Sequence, residues 1–374
     1  MKLGVPNQAG QGETRVSIVP EVVRRLEKLG VEVVVEAGAG EHAHHPDAEY
    51  EEAGASIGDA WGAEVVAVVR APTADAIGKL SADSVLIGFL GPLTDPDTTR
   101  ALASQGVTSF AVEAIPRISR AQSMDALSSQ ASLAGYRAVL IAALELPRFF
   151  PMLTTAAGTI KPATVLVLGA GVAGLQAIAT AKRLGAVVTA FDVRSVVKEQ
   201  VESLGARFLE LDLGADGEGA GGYAKELAED QQQRQREALA EAAGRFDVCI
   251  TTAQIPGRRA PLLLTAQAVE NMKPGSVIVD MAGESGGNVE LTEPGQTIER
   301  HGVKIVAPVN LPGEMPDHAS QLYARNVAAL LELMVKEGNL ELDFDDEVIA
   351  GACITRGGEI VHEGAKQATG APAA

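Results

Sequence analysis

The stretch from Thr164 to Asp192 constrains the fold more than any other part of this sequence. Its apolar run 164–168 predicts a buried strand, the periodicity of 175–184 predicts an amphipathic helix, and 186–191 predicts a second strand. A G-x-G-x-x-G turn joins the first strand to the helix, and it consists of Gly169, Ala170, Gly171, Val172, Ala173 and Gly174. Strand, turn, helix and strand in this order predict a βαβ unit within a parallel sheet.

Each part of this turn has a mechanical role that suits a dinucleotide. Gly169 makes the tight turn, Gly171 lets the backbone approach a pyrophosphate, and Gly174 lets helix and strand pack closely. The helix N-terminus presents N–H groups and a positive dipole end to phosphates. Asp192 ends the second strand, where a carboxylate accepts hydrogen bonds from ribose hydroxyls and repels a 2′-phosphate. Glycines alone fit any tight strand–helix corner, but the four parts in register favour an NAD(H) site.

The composition narrows the class of protein. A length of 374 residues favours two domains, and 46% hydrophobic residues suit parallel sheets that are buried on both faces. A formal net charge of −18 disfavours nucleic acid or an anionic membrane surface as a partner. Cys249 and Cys353 lie in apolar contexts without metal-ligand spacing, and the histidines at 42, 44 and 45 fit a loop better than a metal tract. We therefore expect a soluble protein without a signal peptide, a membrane span or a metal site.

Two blocks of alternating strands and helices predict an α/β protein with two Rossmann-like domains, each containing a parallel sheet. The expected strands are 3–6, 31–36, 65–69, 85–89 and 108–112 in the first block, and 164–168, 187–191, 247–251, 276–280 and 304–307 in the second. Long helical patterns at 125–146 and 320–336 are expected to join the domains and to leave an interdomain cleft for a ligand. The predicted domains are residues 1–125 with 320–374, a linking helix at 126–148, and residues 149–319.

The segment 214–222 is rich in glycine and comes directly before Tyr223. Beside a nucleotide cleft, such a segment suits a mobile lid over the cofactor, and composition alone fits a solvated surface loop equally well.

An unusual string, RISRAQSMD, occupies residues 117–125. It places Arg117, Gln122, Asp125 and Ser128 after the fifth predicted strand of the first domain. Together with GETRVSIVP near the start and Gly-Tyr-Arg at 135–137, it makes the chain resemble the NAD(H)-binding component of proton-translocating nicotinamide nucleotide transhydrogenases, from Met1 to about residue 366.

The resemblance implies a two-domain homodimer that binds NAD(H) and passes hydride directly to or from NADP(H) on a partner subunit. It implies proton movement through a separate membrane-spanning subunit, and hence a cytoplasmic protein that is peripheral on the inner membrane. It also implies that Asp125 and Ser128 hold the nicotinamide carboxamide, that Arg117 orients the ring, and that Gln122 reaches toward the opposing nucleotide. The implied cofactor contacts beyond the glycine turn are Asp192, Val193, Arg194, Tyr223, Ala253, Gln254, Ile255 and Glu284.

Alanine dehydrogenases resemble the same chain and form the main alternative, because they share the N-terminal signature that contains Arg15. They carry a substrate-binding lysine and a catalytic histidine where this sequence has Arg70 and Gly91, and an aspartate where it has Glu284. Oxidative deamination needs a positioned acid–base group, whereas hydride exchange between two nicotinamides needs proximity, orientation and exclusion of water. These replacements therefore favour a transhydrogenase.

A non-catalytic NAD(H) sensor is a hypothesis of another class. A sensor needs to bind only the adenosine half of the dinucleotide. Because the whole loop from Arg117 to Ser128 is retained, we favour a catalytic subunit.

Overall fold

The computed structural model describes residues 1–211, 228–255 and 257–370. The chain divides into two compact units. The first unit is made of Met1–Gln130 and Gly313–Ala374, and the second unit is Ala131–Pro312.

The strands of the two units are short, and most of them follow the apolar runs of the sequence. In chain order they are β1 Lys2–Val5, β2 Glu32–Val35, β3 Ser56–Ile57, β4 Val65–Arg70, β5 Val85–Phe89, β6 Thr108–Ala111, β7 Leu153–Thr155, β8 Gly158–Ile160, β9 Thr164–Leu168, β10 Val187–Phe191, β11 Arg207–Phe208, β12 Val248–Thr251, β13 Val277–Asp280, β14 Thr297–Arg300, β15 Val303–Val306, β16 Val335–Lys336, β17 Asn339–Leu340, β18 Cys353–Arg356 and β19 Glu359–Ile360.

The α-helices alternate with these strands. They are α1 Pro20–Glu27, α2 Asp47–Glu52, α3 Ala74–Ile77, α4 Pro96–Gln105, α5 Ala126–Glu145, α6 Val172–Arg183, α7 Lys198–Ser203, α8 Glu229–Ala243, α9 Ala266–Glu270, α10 Pro316–Met334, α11 Glu347–Ala352 and α12 Glu363–Thr369.

The sheet of the first unit has the order β19-β18-β6-β5-β4-β1-β2-β3. Strands β1 to β6 are parallel to their neighbours, and their order 3-2-1-4-5-6 is that of a doubly wound Rossmann fold. Strands β18 and β19 extend this sheet in the antiparallel direction. The carboxyl ends of β1 and β4 therefore form the switch point of this sheet, where such folds bind ligands.

The sheet of the second unit repeats that strand order. It runs β11-β10-β9-β12-β13-β15-β14, and only β14 is antiparallel to its neighbour. Leu168 of β9 is in register with Phe191 of β10 and with Thr251 of β12. The turns that follow these three strands consequently start at one edge of the sheet, which is the edge of the glycine turn.

The prediction of two Rossmann-like α/β units with mostly parallel sheets is confirmed. Strands 85–89, 164–168 and 187–191 have the predicted bounds, because each is a short apolar run closed by a turn residue. Three details differ. Helix α6 begins at Val172 rather than 175, α10 begins at Pro316 rather than 320, and the pairing of β3 with β2 makes β6 the sixth strand of its unit rather than the fifth.

Candidate functional site

The glycine turn between β9 and α6 has the geometry that its sequence requires. Gly169 has a φ of +100°, a left-handed conformation that side chains rarely adopt. A Cβ on Gly174 would lie 1.9 Å from the carbonyl oxygen of Gly169, so only glycine permits this close packing of helix and strand. A Cβ on Gly171 would meet no atom within 4 Å. The backbone at Gly171 therefore faces open space, and a pyrophosphate fits the turn at that point.

The first turn of α6 is suited to phosphate oxygens. Gly171 is its N-cap and supplies no side-chain cap to the first N–H groups, while the first helical bond is donated by Leu175 N to Gly171 O. Val172 is exposed and Ala173 is half-buried. Helix N–H groups that lack a side-chain cap bind anions well, because the helix dipole adds a partial positive charge there.

Asp192 lies directly beneath this turn. Its Oδ2 accepts a hydrogen bond of 2.7 Å from the backbone N–H of Ala170, and its side chain is only 6% exposed. Arg194 donates to the same carboxylate through its backbone N–H, Nε and Nη2, at 2.8–2.9 Å. The structure thus brings Ala170, Asp192 and Arg194 together, and Val193 lies half-buried between the latter two.

The segment after β12 borders the same turn. The hydroxyl of Thr252 donates to the carbonyl oxygens of Leu168 and Gly169, which ties the start of this segment to the glycine turn. Ala253 donates its N–H to Asn288 Oδ1 and accepts from Asn288 Nδ2, while Gln254 donates to the carbonyl oxygen of Met281. Three predicted cofactor residues, Ala253, Gln254 and Ile255, are therefore carried on a segment with fixed ends.

A buried carboxylate organises the neighbouring loop after β13. Asp280 is fully buried and accepts from the backbone N–H groups of Ala282, Asn288 and Val289. The hydroxyls of Thr251 and Thr292 donate to it as well. Five donors satisfy the carboxylate without a cation, so its role is to shape the loop. Glu284 lies exposed on a short 3-10 helix of this loop, Gly283–Ser285.

The predicted nicotinamide loop lies in the first unit, between β6 and α5. Asp125 precedes α5, and its Oδ1 accepts from the N–H of Ser128 while its Oδ2 accepts from the Ser128 hydroxyl at 2.6 Å. Both residues are half-buried, whereas Arg117 and Gln122 are exposed. The structure therefore joins Asp125 to Ser128 as a helix cap and leaves the Gln122 side chain at the surface.

Asn326 of α10 links both ends of this cap. Its Nδ2 donates to the carbonyl oxygen of Ser123 at 2.8 Å, and its Oδ1 accepts from the Ser129 hydroxyl at 2.7 Å. Asn326 is 8% exposed, so both hydrogen bonds are shielded from water. Arg120, farther along the loop, forms a two-pronged ion pair with Asp346 at the start of α11.

A second polar cluster lies after β1 and β4 of the first unit. Arg15 forms an ion pair of 2.8 Å with Glu13 and donates to Gln130, and Arg70 Nε lies 3.6 Å from Glu13. Burial works to raise the pKa of Glu13, but the hydrogen bonds and charge of Arg15, with the charge of Arg70, outweigh it and hold that pKa below its ordinary value. Arg15 thus forms the salt bridge that the sequence left open as an alternative.

Glu113, just after β6, carries the most perturbed carboxyl of the candidate region. Its Oε1 accepts from the N–H groups of Leu90 and Gly91, while its Oε2 is buried and meets no hydrogen-bond donor among the described residues. Burial raises the pKa of Glu113 to about 7, against the opposing effect of these backbone N–H groups.

Sequence patterns did not single out several of these residues. Thr252, Asn288 and Asn326 are neutral and hold backbone atoms, so no motif marks them, and Asp280 was noted only as the end of a strand. The tertiary hydrogen bonds above are what reveal them. Tyr223 and the segment 214–222 lie outside the described residues.

Membrane-spanning helices and metal clusters are both absent from the described part of the chain. Among residues 1–211, 228–255 and 257–370, no helix combines the length and apolar character that crossing a bilayer requires. In the same ranges, His, Cys, Asp and Glu side chains form no group of three that could hold a metal ion.

Comparison with known proteins gives full-length matches. Residues 4–134 match the family described as "Alanine dehydrogenase/PNT, N-terminal domain", and residues 138–363 match "Alanine dehydrogenase/PNT, C-terminal domain". The chain is 49% identical to the first of the polypeptides that make up the NAD(P) transhydrogenase alpha subunit of Rhodospirillum rubrum, over 97% of this chain and 98% of that one. It is 30% identical to alanine dehydrogenase of Bacillus subtilis, over 97% of this chain and 93% of the relative.

The crystal structure of a transhydrogenase from Sinorhizobium meliloti is similar to this fold with a TM-score of 0.88, at 46% identity over 96% of this chain and all of the other. Matches at these identities over nearly whole chains show common family membership. The chain therefore belongs to the alanine dehydrogenase/PNT family, and within it resembles the alpha subunits of NAD(P) transhydrogenases.

Proposed function

We propose that this chain is the NAD(H)-binding catalytic component of a proton-translocating transhydrogenase. In this proposal it binds NAD(H), and hydride passes directly between that cofactor and NADP(H) on a partner subunit. The bound dinucleotide supplies the hydride chemistry, and the chain supplies binding, orientation and exclusion of water.

The observation that carries the proposal is the replacement of acid–base residues within an otherwise similar chain. Alanine dehydrogenases resemble this chain but have a lysine and a histidine where it has Arg70 and Gly91. Arg70 is beside the buried carboxylate of Glu13, and the Gly91 N–H is donated to Glu113. Neither position offers a group that takes up or releases a proton near neutral pH, as amine oxidation needs. Hydride exchange between two nicotinamides needs no such group.

The second unit supports NAD(H) as the bound nucleotide. The open backbone at Gly171 and the start of α6 would hold the pyrophosphate, and the carboxylate of Asp192 would meet the adenosine ribose. Ala253 to Ile255 would line the adenosine half, with Val193 and Arg194 nearby, and Glu284 and Tyr223 would complete the contacts.

The loop of the first unit supports the orientation of the nicotinamide. We assign Asp125 and Ser128 to the carboxamide, Arg117 to the ring, and Gln122 to the side of the opposing nucleotide. Carboxamide N–H groups need acceptors, and the carboxyl and hydroxyl of the Asp125–Ser128 pair provide them. The hydrogen bonds of Asn326 would fix this pair before the cofactor arrives, which lowers the entropic cost of orienting the ring.

The proposal extends to partners and location. We infer a homodimer that docks an NADP(H)-binding subunit and associates, through a separate membrane-spanning subunit, with the cytoplasmic face of the inner membrane. The net charge of −18 suits a protein that meets the membrane through partners rather than through its own surface.

The test combines the purified chain with an NADP(H)-binding transhydrogenase subunit. The chain alone should bind NADH with micromolar-range affinity and turn over little, while the mixture should transfer hydride between NADPH and an NAD⁺ analogue. An inert mixture, together with NADH formation from alanine and NAD⁺ by the chain alone, would refute the assignment.

One observation favours the second candidate, an alanine dehydrogenase-like activity. Glu113 has a pKa of about 7 and lies against Gly91, the position of the histidine in alanine dehydrogenases. A carboxyl with this pKa is able to serve as an acid–base group. Its Oε1 is occupied by two backbone N–H groups and its Oε2 is buried, so we rank this candidate second. Alanine-dependent NADH formation that disappears in Glu113→Gln would reverse the ranking.

A further inference from the structure

Arg194 occupies the carboxylate that the proposed function reserves for the adenosine ribose. Among the described residues, four N–H groups donate to Asp192: the backbone N–H groups of Ala170 and Arg194, and Nε and Nη2 of the Arg194 side chain. The two side-chain bonds, both 2.8 Å, form a forked pair on the two carboxylate oxygens. Arg194 and Asp192 side chains are 12% and 6% exposed, so water screens this pair weakly.

The number of donors limits what else Asp192 accepts. An ionised carboxylate offers about four lone-pair positions, and four donors use them. Two of the donors are backbone N–H groups that the glycine turn and the end of β10 hold in place. The guanidinium is the movable pair, so a ribose hydroxyl reaches Asp192 only when the Arg194 side chain withdraws at least one of its bonds.

Arg194 is also the type of side chain that accepts a 2′-phosphate. In Rossmann folds an arginine beside the ribose accommodates the extra phosphate of NADP(H), and a guanidinium binds phosphate through the same fork that it uses for a carboxylate. Asp192 and a 2′-phosphate therefore compete for one guanidinium.

From this competition, and resting on the proposed NAD(H) function, we propose that Asp192 excludes NADP(H) in two ways. It repels the 2′-phosphate, and it sequesters Arg194 so that the guanidinium is withheld from that phosphate. Arg194 is then a latent NADP(H) determinant within an NAD(H) site. This goes beyond the usual role of the carboxylate, since repulsion alone assigns no part to Arg194.

Three variants separate sequestration from repulsion: Asp192→Ala, Arg194→Ala and the double variant. Sequestration predicts that Asp192→Ala gains at least tenfold in NADPH affinity and that the double variant loses this gain. Repulsion alone predicts the same gain in both, because both lack the carboxylate. Arg194→Ala should still exclude NADPH, since Asp192 is then unpaired by a side chain and keeps its charge. Dissociation constants for NADH and NADPH, measured by calorimetric titration of the full chain, provide the readout.

Two further variants keep the test valid if Asp192→Ala folds poorly. Asp192→Asn removes the charge and keeps an oxygen for the N–H of Ala170, and it should show the same dependence on Arg194. Asp192→Ala combined with Arg194→Lys should retain part of the gain, because the positive charge remains without the fork.

The outcomes separate this inference from the function on which it rests. If the wild-type chain binds no NADH, both fail. If it binds NADH in an Asp192-dependent manner, but the NADPH affinity of the Asp192 variants is indifferent to Arg194, the proposed function stands and the sequestration of Arg194 is wrong.

Discussion

The hydroxyl of Ser128 donates to Oδ2 of Asp125 at 2.6 Å, while the Ser128 N–H donates to Oδ1 of the same carboxylate at 2.9 Å. These bonds cap helix α5, so the two residues that we assign to the nicotinamide carboxamide also hold each other in position. A role in the cap and a role at the cofactor are separable, because a cap affects stability and a cofactor contact affects hydride transfer.

Asp125→Asn should therefore slow hydride transfer by about 10²-fold while changing NADH affinity by only a few-fold, because ring orientation is lost and adenosine binding is kept. The asparagine still accepts from the Ser128 N–H, so the free energy of unfolding should fall by less than about 1 kcal/mol. Single-turnover rates with the NADP(H)-binding partner and NADH titrations provide the comparison.

Gln122→Asn tests the exposed end of the same loop. It shortens a surface side chain by one methylene, so stability and NADH affinity should stay at the wild-type level while hydride transfer falls by about tenfold. Equal losses of NADH affinity and rate would count against the assigned role of Gln122.

Asn326→Ala should release both ends of the capped segment. It leaves the buried carbonyl of Ser123 and the hydroxyl of Ser129 without this partner, which should cost about 1–3 kcal/mol of stability. Hydride transfer should fall more than NADH affinity, and Asn326→Asp, which keeps only the acceptor for Ser129, should be intermediate in both rate and stability.

Arg325→Ala is the matched control for Asn326. Arg325 is the preceding residue of α10, is exposed, and pairs with Glu21. An exposed pair contributes about 0–1 kcal/mol, so this variant should behave as wild type in rate and affinity. A similar loss of rate in Arg325→Ala would mean that α10 as a whole, rather than the hydrogen bonds of Asn326, is responsible.

Gly171→Ala and Gly174→Ala should separate binding from folding. The first places a methyl group in open space, with a φ of −77°, so the protein should fold normally and lose at least tenfold in NADH affinity as the pyrophosphate is blocked. The second forces a methyl group to 1.9 Å from a backbone oxygen, so both stability and affinity should fall, stability by about 1–3 kcal/mol. Thermal unfolding and NADH titration of the pair check this; normal NADH binding by Gly171→Ala would remove the glycine turn from the site.

Glu113 should make stability depend on pH. Its pKa is about 7 in the folded protein against an ordinary value of 4.5, so the folded state binds the proton more tightly than the unfolded state does. The contribution is therefore fully present below pH 4.5 and is lost as pH rises toward 7, at a cost of up to about 3 kcal/mol. Denaturant titrations should show that Glu113→Gln flattens this slope and matches the wild type at pH values below the ordinary pKa. A slope that survives in the variant would assign the pH dependence to other groups.

The elements best predicted from sequence are the buried strands. Thr164–Leu168 and Val187–Phe191 are uninterrupted apolar runs, and burial on both faces of a parallel sheet requires that pattern. Two-residue strands such as Ser56–Ile57 carry too little periodicity to be recognised. The start of α10 at Pro316 followed a proline at the first helical position, which the apolar pattern alone did not mark.

The candidate site divides in the same way. Backbone requirements such as those of Gly169 and Gly174 are legible in sequence because few residues meet them. The ion pair of Asp192 with Arg194 and the two hydrogen bonds of Asn326 depend on rotamers and on helices distant in the chain. Nothing in the spacing of these residues encodes such contacts, so they required the structure.

The discontinuity of the first unit has a consequence for biosynthesis. Gln130 donates to the carbonyl oxygen of Ala319, and Thr14 donates to that of Gly313, so the chain leaves this unit and re-enters it at neighbouring points. The ribosome consequently delivers the whole second unit before the strand Cys353–Arg356 that completes the neighbouring edge of Thr108–Ala111. Until that strand emerges, the nascent protein carries a finished nucleotide fold beside an unpaired β-edge, the kind of surface that chaperones protect from aggregation.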